Sequence, residues 1–296
     1  MLDEIRSYIS MSDRLILYPH DKVSISVWDI EDDRSVGVLE GHTSTVCAVF
    51  INNKGTMAVT LQKDQNGEDD YPVKIWNLGT MQCTASLSPT MCCSAIMEDR
   101  FILGSMEGPI TVWDIGSSTP VELMDLHEHS ETIWSIAASD SSNIALSGSN
   151  DETVRLWDLR TGQCVRVMEG HTDAVQSVSM DSACRTAVSG SDDGTVKLWD
   201  LDSGRCINTY QHDQRVRNVM MHESGGSFLS VGYGLSIKAW ATALGFDRPI
   251  LDADLSGLHL CNSESLPFGS ASRDLSKVAI CHNRVDGVGL GVRVWK

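Results

Sequence analysis

The stretch 147–206, SGSNDETVRLWDLRTGQCVRVMEGHTDAVQSVSMDSACRTAVSGSDDGTVKLWDLDSGRC, contains one unit twice. Trp157 and Trp199 lie 42 residues apart, as do Ser147 and Ser189, Asp151 and Asp193, and Cys164 and Cys206. His129 and His171 keep the same offset. Self-similarity at a period of roughly 40–45 residues, with a Trp-Asp pair near a strand end, predicts stacked four-stranded units. A unit this small cannot bury its own apolar face, so it needs neighbours on both sides.

The spacing inside the unit has a physical reading. His171 is followed by Ser189 after 18 residues, Asp193 after 22 and Trp199 after 28, and His129 reaches Ser147, Asp151 and Trp157 by the same steps. An indole N–H, a hydroxyl, an imidazole and a carboxylate can form a chain in which each buried donor meets an acceptor. Such a network stabilises only when every member is satisfied. A nucleophilic Ser-His-Asp triad uses the same residue types, but a triad is an exposed geometry met once, whereas this set recurs. On Gly170-His171, Ser189, Asp193 and Trp199-Asp200 the chain resembles the WD-repeat family. The resemblance implies an all-β fold, a seven-bladed β-propeller of four-stranded antiparallel blades. It also implies the bonding order Trp to Ser, Ser to His and His to Asp within each blade.

The other copies are read against this one. The second blade has His42, Thr60 in the hydroxyl position, Asp70 and Trp76, with a long acidic loop, QKDQNGEDDYP, before its Trp strand. The third is degraded: Leu103 and Glu107 stand where Ser and Asp belong, no His heads it, and ITVWD at 110–114 remains. The sixth keeps His212, Ser230 and Trp240 but has Gly234 in the carboxylate position. Strands are expected around 5–10, 14–20 and 23–30 in the first blade, and at KVAICHN and GVRVWK in the seventh. Seven central tryptophans follow, at 28, 76, 113, 157, 199, 240 and 295, with Trp134 outside the series. The expectation is a single domain over 1–296 in which either the last blade has three strands and an exposed edge, or the chain is the C-terminal portion of a longer protein. The second is favoured because natural sheets protect their edges.

Composition narrows the function. A net charge of −17 opposes binding to a phosphate backbone and to anionic membrane surfaces, and fits a protein or peptide partner that is basic. The nine cysteines form no CxxC pair, and Cys83, Cys164 and Cys206 recur at one repeat position on separate units, so a disulfide framework is not expected. With no signal peptide or long apolar run, a cytoplasmic location is expected. GVGLG at 287–291 is followed by a strand rather than a helix, which removes the dinucleotide reading. His127-Glu128-His129 lacks further ligands, so neither metal nor cofactor is expected. With no catalytic motif the chain reads as no enzyme, hydrolase being the remote alternative.

Function is therefore expected on the rims. The resemblance implies docking at two repeat positions on the face carrying the His and Asp loops. The fifth residue after the blade His gives Cys47, Trp134, Gln176 and Arg217. The residue before the blade Asp gives Asp69, Met106, Asn150, Asp192 and Tyr233. Trp, Tyr and Arg dominate interface hot spots, which singles out Trp134, Tyr233 and Arg217; Trp134 plugging the channel mouth of its own fold is the bland alternative. TGQC at 161–164 and GHTSTV at 41–46 are also similar to F-box WD-repeat ubiquitin-ligase receptors, which read phosphorylated segments through several Arg at these positions. Here only Arg217 qualifies, while Asp69 and Asp192 place acidic residues at the same set of positions. The sensor propellers of NACHT-type ATPases are a further resemblance.

Overall fold

A computed structural model of the chain describes residues 10–12, 14–52, 54–62, 72–87, 93–116, 120–233, 236–242 and 249, together with the backbone of 251–254, 269–271, 278–283 and 290–295. The strands among these residues form seven antiparallel sheets in chain order, six of four strands and one of three. The three-stranded sheet consists of Gly269–Ala271, Val278–Asn283 and Leu290–Trp295. The first strand of the first sheet is Ser10–Met11, and the next three are Leu15–Pro19, Ile25–Asp29 and Arg34–Leu39. The expected strand at 5–10 otherwise lies outside the described residues. Each of the seven predicted tryptophans sits on the third strand of its sheet.

The fifth unit displays the logic. Its strands are Val175–Met180, Thr186–Ser191, Thr195–Asp200 and Arg205–Gln211. The middle two carry β-branched and apolar residues buried towards both neighbouring sheets, and the fourth turns outward, with Arg205, Cys206 and Ile207 exposed. The turn after Trp199 takes a positive φ at Gly204 (71°), as the turn after Trp157 does at Gly162 (72°). Glycine enters that left-handed region without steric cost.

The core lies between sheets rather than within one. Leu146, Val154 and Met168 of the fourth unit pack on Val175, Ala187 and Trp199 of the fifth. Val188, Val196 and Tyr210 of the fifth pack in turn on Val216, Phe228 and Trp240 of the sixth. Trp76, Trp157, Trp199 and Trp240 are each only 1% exposed. Burying an aromatic of this size removes on the order of 200 Å² from water, so each interface is held chiefly by one indole and its aliphatic bed.

Gly104, Gly148 and Gly190 recur nine residues before Trp113, Trp157 and Trp199, and they let sheets approach. A Cβ at Gly190 would come 2.5 Å from Val216 Cγ1 and 2.9 Å from Val219 Cγ1 in the next unit. Gly190→Ala is expected to cost about 1–2 kcal/mol by overpacking, read as a shift in denaturant midpoint. An unchanged midpoint would mean that the interface yields freely.

Candidate functional site

The predicted hydrogen-bond chain is present and sealed in two units. Trp199 Nε1 donates to Ser189 Oγ at 2.7 Å, and Ser189 Oγ lies 2.7 Å from His171 Nε2. His171 Nδ1 is 2.7 Å from Asp193 Oδ2. Trp157, Ser147, His129 and Asp151 repeat this at 2.8, 2.7 and 2.7 Å. Because the indole occupies an acceptor site on the hydroxyl, the hydroxyl proton points to Nε2, and the ring then carries its own proton on Nδ1 for the carboxylate. Thr153 and Thr195 add a hydroxyl donor to each carboxylate at 2.7 Å. Burial raises the pKa of Asp151 and Asp193, but the bonds from His and Thr outweigh it and hold both well below the usual carboxylate range. Ser147 and Ser189 are 0% exposed. A hydroxyl bonded to an indole and closed to solvent cannot attack a substrate, so these sets are architecture.

The other units depart from the pattern for visible reasons. In the second, Trp76 donates to Thr60 at 2.8 Å and Thr60 meets His42 Nε2 at 2.7 Å. Nδ1 of His42 lies 3.0 Å from the Val23 carbonyl, a partner in the preceding unit that the sequence did not suggest; Asp70 lies outside the described residues. In the sixth, Trp240 donates to Ser230 at 2.7 Å, and His212 is buried with its ring against Gly232; Gly234 is outside the described residues. In the third, Trp113 donates at 3.0 Å to Thr111 on its own strand, since Leu103 offers no acceptor.

The two rim positions converge in pairs. Trp134 Nε1 donates to Asn150 Oδ1 at 3.3 Å, Gln176 Nε2 donates to Asp192 Oδ2 at 2.9 Å, and the Arg217 guanidinium sits 4.0 Å over the Tyr233 ring. The cause is a recurring irregularity. The register between the first two strands shifts at Ile133/Ser135, Val175/Ser177 and Val216/Asn218, leaving Trp134, Gln176 and Arg217 as the extra residues. A β-bulge re-aims the side chain it adds. Backbone bonds from Asn150, Asp192 and Tyr233 to the carbonyls of Thr132, Ala174 and Arg215, at 2.8, 3.0 and 3.0 Å, hold the opposing residue in reach. Cys47 is also a bulge residue.

Several expectations are revised by this geometry. Cys47 is 1% exposed, with its thiol donating to the Leu61 carbonyl at 3.3 Å. Gln176 is 5% exposed. Asp192 is engaged by Gln176 and lies 3.8 Å from Arg215, so it is no free carboxylate. Asp69 and the acidic loop around it lie outside the described residues. Sequence reasoning missed Glu131 and Asp173, exposed two residues after His129 and His171. Glu131 reaches Asn150 and so joins the Trp134 pair.

The family described as "WD40: WD domain, G-beta repeat" matches residues 120–158 and 162–200. Transducin beta-like protein 3 of Rattus norvegicus is 26% identical over 185 residues, covering 55% of this chain and 22% of that protein. Autophagy-related protein 16 of Arabidopsis thaliana is 29% identical over 142 residues, covering 47% of this chain and 26% of that protein. The chain thus spans about a quarter of the length of these relatives. A chain of the solved structure titled "Crystal Structure of Mitotic Checkpoint Complex" superposes with a TM-score of 0.80 at 15% identity, covering 99% of this chain and 90% of that one. Among the described residues no helix is long and apolar enough to cross a membrane.

Proposed function

The chain belongs to the WD-repeat (WD40) family, and from that premise we propose that it is a non-catalytic scaffold binding a protein or peptide on the face of the bulged side chains. The observation that carries this reading is the run of neighbouring rim pairs Trp134–Asn150, Gln176–Asp192 and Arg217–Tyr233. Three successive units present an aromatic or polar pair, held by the same backbone irregularity, beside exposed Glu131 and Asp173. We read the sheets as seven blades closing into a ring. The neighbourhood of Ser10–Met11 in the first sheet and Gly269–Ala271 in the last supports closure.

The partner in this reading is basic. The net charge of −17 favours encounter with Lys/Arg-rich segments and makes their affinity fall with salt. A ubiquitin-ligase receptor reading phosphorylated segments fits less well, because Arg217 is the one Arg at the two rim positions and it already stacks on Tyr233.

A peptide array followed by titration at two salt concentrations tests the proposal. Basic peptides are expected to be selected. Trp134→Ala is expected to weaken them about tenfold, a loss of ~1.4 kcal/mol, as an interface aromatic does. Selection of acidic or phosphorylated peptides would overturn the basic partner, and indifference to Trp134 would overturn the face.

A further inference from the structure

A cleft of about 430 Å³ opens between the second and third units. Its lining includes the apolar Leu87, Leu103, Met106 and Trp113 together with Glu107, Glu122, Asp125 and His127. Leu103, Glu107 and Trp113 lie 44 residues before Ser147, Asp151 and Trp157, the residues that grip His129 in the next unit. Where the fourth unit has an imidazole bonded on both sides, the third has a leucine methyl, a glutamate facing solvent and open volume.

We propose that this cleft receives a Lys or Arg side chain from a protein partner. The inference rests on reading the adjoining face as an interaction surface and names what the third unit contributes to it. Glu107 and Glu122 are exposed, and neither forms an ion pair among the described residues. The neighbouring His127 is tied to Asp125 at 2.7 Å, so an anionic side chain would meet carboxylates without compensation. The Trp113 N–H is committed to Thr111, and the indole therefore offers an incoming chain carbon and π surface. A long aliphatic stem against apolar walls with its charged head at the carboxylates is how Lys and Arg are accommodated at half-buried sites. Aromatic faces add attraction for the cation.

The cleft is also joined to the rim pairs. The Thr132 hydroxyl donates to the Met106 carbonyl at 2.9 Å, and Ile133 N donates to the Ser105 carbonyl at 3.1 Å. The turn that bounds the cleft is thus fixed to the strand that carries Trp134. A segment crossing Trp134 passes the cleft mouth, and one basic side chain can enter it.

The test uses the full chain with 15N-labelled indoles, titrated with acetyl-Gly-Gly-Arg-Gly-Gly-amide and its Lys, citrulline and Glu counterparts. The Trp113 signal, assigned from Trp113→Phe, is expected to move with Arg and Lys and to stay fixed with citrulline and Glu. Glu107→Gln combined with Glu122→Gln is expected to weaken the Arg peptide about tenfold; both residues are exposed, so the fold is retained. A citrulline response equal to that of Arg, an unmoved Trp113, or an unchanged affinity in the double variant would each overturn the proposal. Array-selected peptides that depend on Trp134 but ignore the double variant would sink the cleft and leave the scaffold reading standing. A Trp113 response without any Trp134-dependent partner would do the reverse.

Discussion

Asp193→Ala is expected to destabilise the protein by about 3 kcal/mol, the cost of leaving more than one buried donor unpaired. The carboxylate accepts from His171 Nδ1, the Thr195 hydroxyl and the backbone amides of Thr172 and Thr195, at 2.7, 2.7, 3.2 and 2.8 Å. Its side chain is 7% exposed, and that of His171 is 0% exposed. Removing the acceptor leaves an imidazole proton facing a small cavity, and it unties the loop that begins at His171 from the turn that begins at Ser191. Glu107 occupies the equivalent position in the third unit but is exposed and bonds nothing in the core. Glu107→Ala is therefore expected to change stability by less than about 0.5 kcal/mol, as surface substitutions do. Urea melts of the two variants side by side decide the matter. Equal losses would mean that the network in the fifth unit carries no more of the stability than a surface loop.

Acidification from pH 7 to pH 4 is expected to cost about 2 kcal/mol through His42 alone, discounting the full 1.36 kcal/mol per pKa unit for residual solvent screening. Burial, with Lys74 assisting and the Val23 carbonyl and Asp21 opposing, pushes the imidazole down to about 4 from 6.5. A folded value below the unfolded one means that the unfolded chain binds the extra proton first. The contribution of neutral His42 is thus complete above about pH 6.5 and lost as pH falls towards 4. Asp151 and Asp193, also depressed, contribute above the ordinary carboxylate value, and their stabilisation is lost as pH falls below it. Two successive acid losses should appear, the first absent in His42→Asn. NMR titration of the His42 ring checks the cause directly, and a midpoint near 6.5 would refute it.

The repeat itself was legible because its residues are chemically irreplaceable. A Trp N–H buried at 1% exposure needs an acceptor, and the fixed 10-residue step from Ser189 to Trp199 places one on the neighbouring strand. Four residue types with fixed offsets therefore specify the sheet and its buried network together. The same reasoning flagged the third unit as degraded, since Leu103 cannot accept a hydrogen bond.

What the sequence could not decide was how tertiary packing uses the remaining atoms. The Val23 carbonyl belongs to another unit from His42, and nothing local marks it as the partner of Nδ1. The bulges that aim Trp134, Gln176 and Arg217 arise from register between two strands, and register has no signature within either strand alone. Gln176 and Asp192 resembled free rim groups until the ladder brought them to 2.9 Å. The cleft beside Trp113 exists because two sheets keep the separation that neighbouring units impose on them, even where the histidine that fills the space elsewhere is missing. Local chemistry determined which residues had to be paired; only the packing of sheet on sheet determined with what, and where room was left over.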